Sequence, residues 1–124
     1  MKINYFILYP NNTYEFVETD MSSNGITYLK NVEESVGDYC WFTPLKDYPG
    51  YFMACNDCTA DYTKINKLAE SFTHEEEFDK CVLVKCYEGQ ACSDIEFETF
   101  SEDDRKYFEL FLDEQIKVIN NENS

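Results

Sequence analysis

The 124 residues suffice for one domain, and a 44% hydrophobic content with ten Tyr and ten Phe excludes a disordered chain. Twenty-five acidic against ten basic side chains give a formal charge of −15. Such a field repels phosphate backbones and anionic lipid, which argues against direct nucleic-acid or membrane-surface binding.

Residues 2–9 alternate as a strand, and Pro10-Asn11-Asn12 signals a turn into a second strand at Thr13–Val17. Ser22, Ser23 or Asn24 can cap a helix whose apolar positions are Ile26, Leu29, Val32 and Val36, with Gly37 placed to end it. Tyr39–Thr43 and Tyr51–Cys55, joined through Pro49-Gly50, read as a second hairpin. Ile65, Leu68, Ala69 and Phe72 mark a short helix across roughly 62–72. HEEEFD is a solvated connection into CVLVKCY (81–87), a compact apolar strand expected at the centre of the sheet. In DIEFETF, Ile95 and Phe97 face one way while Asp94, Glu96 and Glu98 face the other. Ser101 then caps a last helix with a buried stripe of Tyr107, Phe108, Phe111, Leu112, Val118 and Ile119. The order β-β-α-β-β-α-β-β-α predicts an α+β fold: a mostly antiparallel sheet of two hairpins plus further strands, covered on one face by about three helices. Residues 1–120 form the domain and 121–124 a frayed tail.

No apolar run approaches the roughly 18 residues of a membrane span. MKINYFILYP also lacks the basic start and cleavage site of an export signal. The expectation is a cytoplasmic protein, in a bacterial host cell, with its six cysteines reduced.

The acids concentrate towards the C-terminus. Residues 1–73 carry ten acids and five bases, and residues 74–124 fifteen and five, so the second half is twice as negative. Glu102, Asp103 and Asp104 open a helix, where negative charge offsets the unpaired amides. Asp94, Glu96 and Glu98 have no base between them, and they are singled out with Glu75, Glu76, Glu77 and Asp79 as partner-binding residues. A charged edge strand guarded against aggregation has the same pattern.

Cys55-Asn-Asp-Cys58 has the spacing of half a zinc knuckle, and its second half would have to come from Cys81, Cys86 or Cys92, none of which forms another such pair. His74 is the sole histidine, and the negative surroundings disfavour a thiolate nucleophile. There is no phosphate-binding loop, dinucleotide fingerprint or nucleophile elbow. The reading is therefore non-enzymatic and free of cofactors, with Cys55 and Cys58 as an alternative metal or thiol site.

The order L-x-x-V-E-E-S-V-G-D-Y, a hairpin reaching C-N-D, then K-I-N-K-L-A and a strand C-V-L-V resembles family 3846 of the domains of unknown function over residues 29–87. That resemblance implies an origin in phages, plasmids or related mobile elements. It places Val36-Gly37, Asn56, Asn66 and Ala69 on the family's recurring positions. Asp38 departs from it where a second Gly is usual. The family implies no activity or functional residues; the charge and that origin together lead to the expectation of an acidic inhibitor that occupies the basic surface of a host nucleic-acid-binding protein, such as a restriction or CRISPR-type defence enzyme. A structural or assembly protein, acidic only for solubility, is the other alternative.

Overall fold

The computed structural model describes residues 2–20, 32, 34–36, 40–56, 61–86 and 97–122. Strand β1 (Lys2–Leu8) pairs antiparallel with β2 (Tyr14–Asp20), Leu8 opposite Tyr14. Their turn contains Asn12 at φ 66°, a left-handed conformation that asparagine tolerates better than most residues. Strands β3 (Cys40–Pro44) and β4 (Tyr51–Asn56) form the second hairpin, with Gly50 at φ 88° in its turn. The central strand is β5 (Cys81–Cys86), as its apolar run predicts, and the path through the sheet is β2-β1-β5-β4-β3, antiparallel throughout.

Strand β6 (Phe97–Glu98) is two residues long and pairs with Lys85 and Cys86. Because β4 occupies the other edge of β5 and β1 covers only Cys81–Leu83, β6 continues the lane that β1 leaves. Helix α1 (Lys67–Thr73) begins later than its apolar spacing predicts. Ile65 has helical spacing but forms an isolated bridge with Phe78, and Asn66 is the cap. Helix α2 (Glu102–Glu122) starts where Ser101 predicts and runs two residues into the expected tail. Residues 32 and 34–36 are helical, whereas Ile26, Leu29 and Gly37 lie outside the described residues.

Strand alternation sends odd and even positions to opposite faces, and each face has its own core. On one side Phe6, Leu8, Met53, Leu83 and Cys81 meet Leu68 and Phe72 of α1 and Phe108, Leu112 and Ile119 of α2. Aromatic edges fill this layer: Phe6, Phe16, Phe100, Phe108 and Tyr51 stack tilted or edge-on at centroid distances from 4.8 to 6.4 Å. On the other side Tyr5, Ile7, Phe52, Ala54, Val82 and Val84 pack with Val32 and Val36. Helical residues thus cover both faces of the sheet, not one. Periodicity identifies an apolar stripe but not the face it meets, and β5, apolar at both parities, needs cover on both.

The buried stripe of α2 is also narrower than its sequence suggests. Tyr107 and Val118 are exposed, because Phe108, Leu112 and Ile119 set the contact line. No helix among the described residues is long and apolar enough to cross a membrane.

Candidate functional site

A row of side chains crosses the sheet at one end. In register, Trp41 on β3 opposes Cys55 on β4, and Cys55 opposes Cys81 at the start of β5. Directly opposed residues share a face, so the three are neighbours. Cys55 Sγ lies 3.3 Å from Cys81 Sγ and donates to Glu77 Oε2 at 3.0 Å. Cys81 is fully buried and Cys55 partly so. Cys86, five residues along β5, packs in the opposite core.

Glu77 reaches this row because the segment before β5 is tied to buried Asn66. The Asn66 amide donates to the Glu77 carbonyl at 2.8 Å. Its side chain accepts from Ala69 N at 3.0 Å, capping α1, and donates to the carbonyls of Leu8 (2.9 Å) and Asp79 (2.7 Å). All of its carboxamide is thereby used, and the HEEEFD connection is tied to the end of β1. Burial pushes the Glu77 carboxyl up, against hydrogen bonds from Cys55 and Thr73 that pull it down. The Cys81 thiol beside it, then burial, then Glu77 push the Cys55 thiol far above its ordinary range, which disfavours a free thiolate.

Above the row lies a cleft of about 280 Å³, lined by Trp41, Tyr62, Glu75, Glu76 and the edges of Cys55 and Glu77. Trp41 and Tyr62 are each 63% exposed, and the Tyr62 ring is steadied by Phe78 at 5.2 Å. The volume falls short of the roughly 300–1,000 Å³ of small-molecule pockets. A wider hollow of about 610 Å³ lies between Tyr9, Pro10 and Lys64.

The sequence-predicted site residues separate. Glu75 and Glu76 are exposed at the cleft, while Glu77 is only 9% exposed and turned towards the thiols. Asp79, at φ 60°, accepts from the amides of Asp61 and Lys80 and so holds its own turn. Glu98 stands opposite Lys85, four residues along β5 from Cys81 and about 13 Å away. Glu98 and the Glu75–Glu77 acids therefore belong to opposite ends of the central strand. Asp94, Glu96, Cys58 and Cys92 lie outside the described residues. The partner of Cys55 among the described residues is thus Cys81, through strand register, which no sequence spacing displays. His74, the sole histidine, contacts Asp47 at 2.8 Å.

No family model matches the chain, and no curated protein matches it either. Among solved structures, the crystal structure of small RNA methyltransferase HEN1 has a similar fold over 84% of this chain, with a TM-score of 0.59 and 11% sequence identity. This chain spans 15% of that one. At that identity the likeness concerns the fold alone.

Proposed function

We propose that this chain is a non-enzymatic acidic binding protein that docks on a basic protein surface, with a cationic side chain of the partner entering the Trp41–Tyr62–Glu75–Glu76 cleft. The observation that carries the reading is the pairing, in one cleft, of two exposed aromatic rings with two exposed carboxylates. Aromatic faces attract lysine and arginine cations, more so where carboxylates also neutralise the charge. The cleft has room for one side chain rather than a cofactor.

The wider surface supports this. Lys64, Lys85, Arg105 and Lys117 are each within 4 Å of a carboxylate, and the formal charge of the whole sequence is −15. Long-range attraction would then steer a basic partner before the cleft engages it. The resemblance to family 3846 adds a mobile-element origin, and with it a host nucleic-acid-binding defence enzyme as the partner. The similarity to a small RNA methyltransferase does not favour RNA as the ligand, because a charge of −15 repels it.

Affinity capture from a bacterial lysate across a salt series tests the reading. A basic nucleic-acid-binding protein released by rising salt is the expected result. Capture of none, or binding indifferent to salt, contradicts it.

A further inference from the structure

We propose that Cys55, Cys81 and Glu77 form a binding site for a divalent metal ion of the zinc class at the floor of the cleft. Each offers one ligand atom, and the three atoms lie within 4.8 Å of one another. Two sulfurs and one carboxylate oxygen suit zinc, cobalt or cadmium, whereas magnesium and calcium take oxygen ligands. A tetrahedral ion about 2.3 Å from each sulfur holds the sulfurs about 3.8 Å apart. Cys55 and Cys81 stand at 3.3 Å, so a small rotation of the side chains admits the ion.

The scaffold fixes these donors before any ion arrives. Strand register sets the two cysteines side by side. The Glu77 main chain is held at both ends of its peptide unit, its carbonyl by the Asn66 amide and its own amide by the Glu70 carboxylate at 3.3 Å. Glu77 is also a buried carboxylate that takes part in none of the ion pairs among the described residues. Buried charge without a counter-ion is costly, and a divalent ion supplies one. Cys55 and Glu77 both border the cleft, so a fourth coordination position opens towards Glu75 and Glu76.

Binding is a proton exchange. The ion forms two metal–sulfur bonds and one metal–oxygen bond, and the two thiol protons leave to solvent. The site does not depend on the binding function proposed above, since it needs no partner.

Titration of the reduced, metal-free full chain with cobalt(II) tests it. The expected result is a saturable thiolate-to-cobalt charge-transfer band with about two protons released per ion. The band is lost in Cys55→Ser and persists in Cys86→Ser, whose thiol lies in the other core. Glu77→Gln, nearly isosteric, weakens binding at least about tenfold, the lower end of what removing even an outer partner of a ligand costs. Absence of the band, a band undiminished in Cys55→Ser, or unchanged affinity in Glu77→Gln overturns the proposal. Should Cys55→Ser lose its circular-dichroism signature, Glu77→Gln decides the matter.

Discussion

Asn4 offers both ends of its carboxamide to the main chain of Phe100, 96 residues later: Nδ2 donates to the carbonyl at 3.2 Å and Oδ1 accepts the amide at 2.6 Å. The contact sits where β1 yields its lane beside β5 to β6, so a side chain completes what the strands leave open. Asn4→Leu leaves two buried main-chain groups unpaired, each costing about 1–3 kcal/mol. The expected loss of about 2–6 kcal/mol is read from the urea midpoint at constant m-value. Asn4→Asp keeps the acceptor but loses the donor and sets a second carboxylate beside Glu18, so it too destabilises.

Asn66 carries a heavier load, because it caps α1 and pins both the end of β1 and the segment before β5. Asn66→Asp preserves the cap acceptor and removes both donors; Asn66→Ala removes all three contacts. Both should destabilise, Asn66→Ala by about 3 kcal/mol or more from the cap and two buried carbonyls. Hydrogen exchange should show Asp79 and Lys80 losing protection first, since their segment loses its tether.

Asp104 joins three elements. It accepts from Lys85 Nζ of β5 at 2.7 Å and from the Ser101 amide at 3.1 Å, while its own amide donates to Ser101 Oγ, a reciprocal cap on α2. Burial raises its carboxyl, but the hydrogen bonds from Lys85, Ser101 and Tyr51 outweigh this and hold it below the usual carboxylate range. Burial lowers Lys85, yet Asp104 and its neighbours bring it above the usual lysine range. Tyr51, pushed up to about 12 by burial and by Asp104, stays neutral throughout.

The sign follows from which state holds the proton more weakly. A depressed carboxyl gives stability that is present above the unfolded value near 4 and lost as pH falls through the folded one. A raised lysine gives stability that is lost only as pH climbs past its folded value, above about 10.4. Asp104→Asn should therefore cost about 1–3 kcal/mol near pH 7, the scale of a hydrogen bond to a charged group. The cost should shrink as pH falls through the depressed folded value, below the usual carboxylate range, as thermal melts at several pH values would show.

What the sequence disclosed was the strands. The alternation of residues 2–9, the Pro-Asn-Asn turn and the apolar run of β5 each became the predicted element. Ser101 likewise announced α2. The site was hidden for a physical reason: the Cys55–Cys81 contact comes from inter-strand register across 26 residues, while Cys55-Asn-Asp-Cys58 drew attention to local spacing. Glu77 was indistinguishable within HEEEFD until Asn66 folded that segment inward. Of the positions taken from the resemblance, the four among the described residues form two bonded pairs. Asn56 Nδ2 donates to the Val36 carbonyl at 3.2 Å, and Asn66 caps Ala69. Buried asparagines that join distant main-chain segments look, in sequence, like ordinary turn residues.

Trp41 is the sole tryptophan and is largely exposed at the cleft, which makes it a direct reporter of what enters. The decisive measurement follows its emission while a short arginine- and lysine-containing peptide is titrated at low and at physiological salt. The account predicts a saturable change in emission whose midpoint weakens with salt, and which Glu75→Gln/Glu76→Gln weakens more than Asp113→Asn/Glu114→Gln, a control that removes as much charge from α2. Peptide binding that leaves Trp41 emission unaltered, or that both double variants weaken equally, would contradict it.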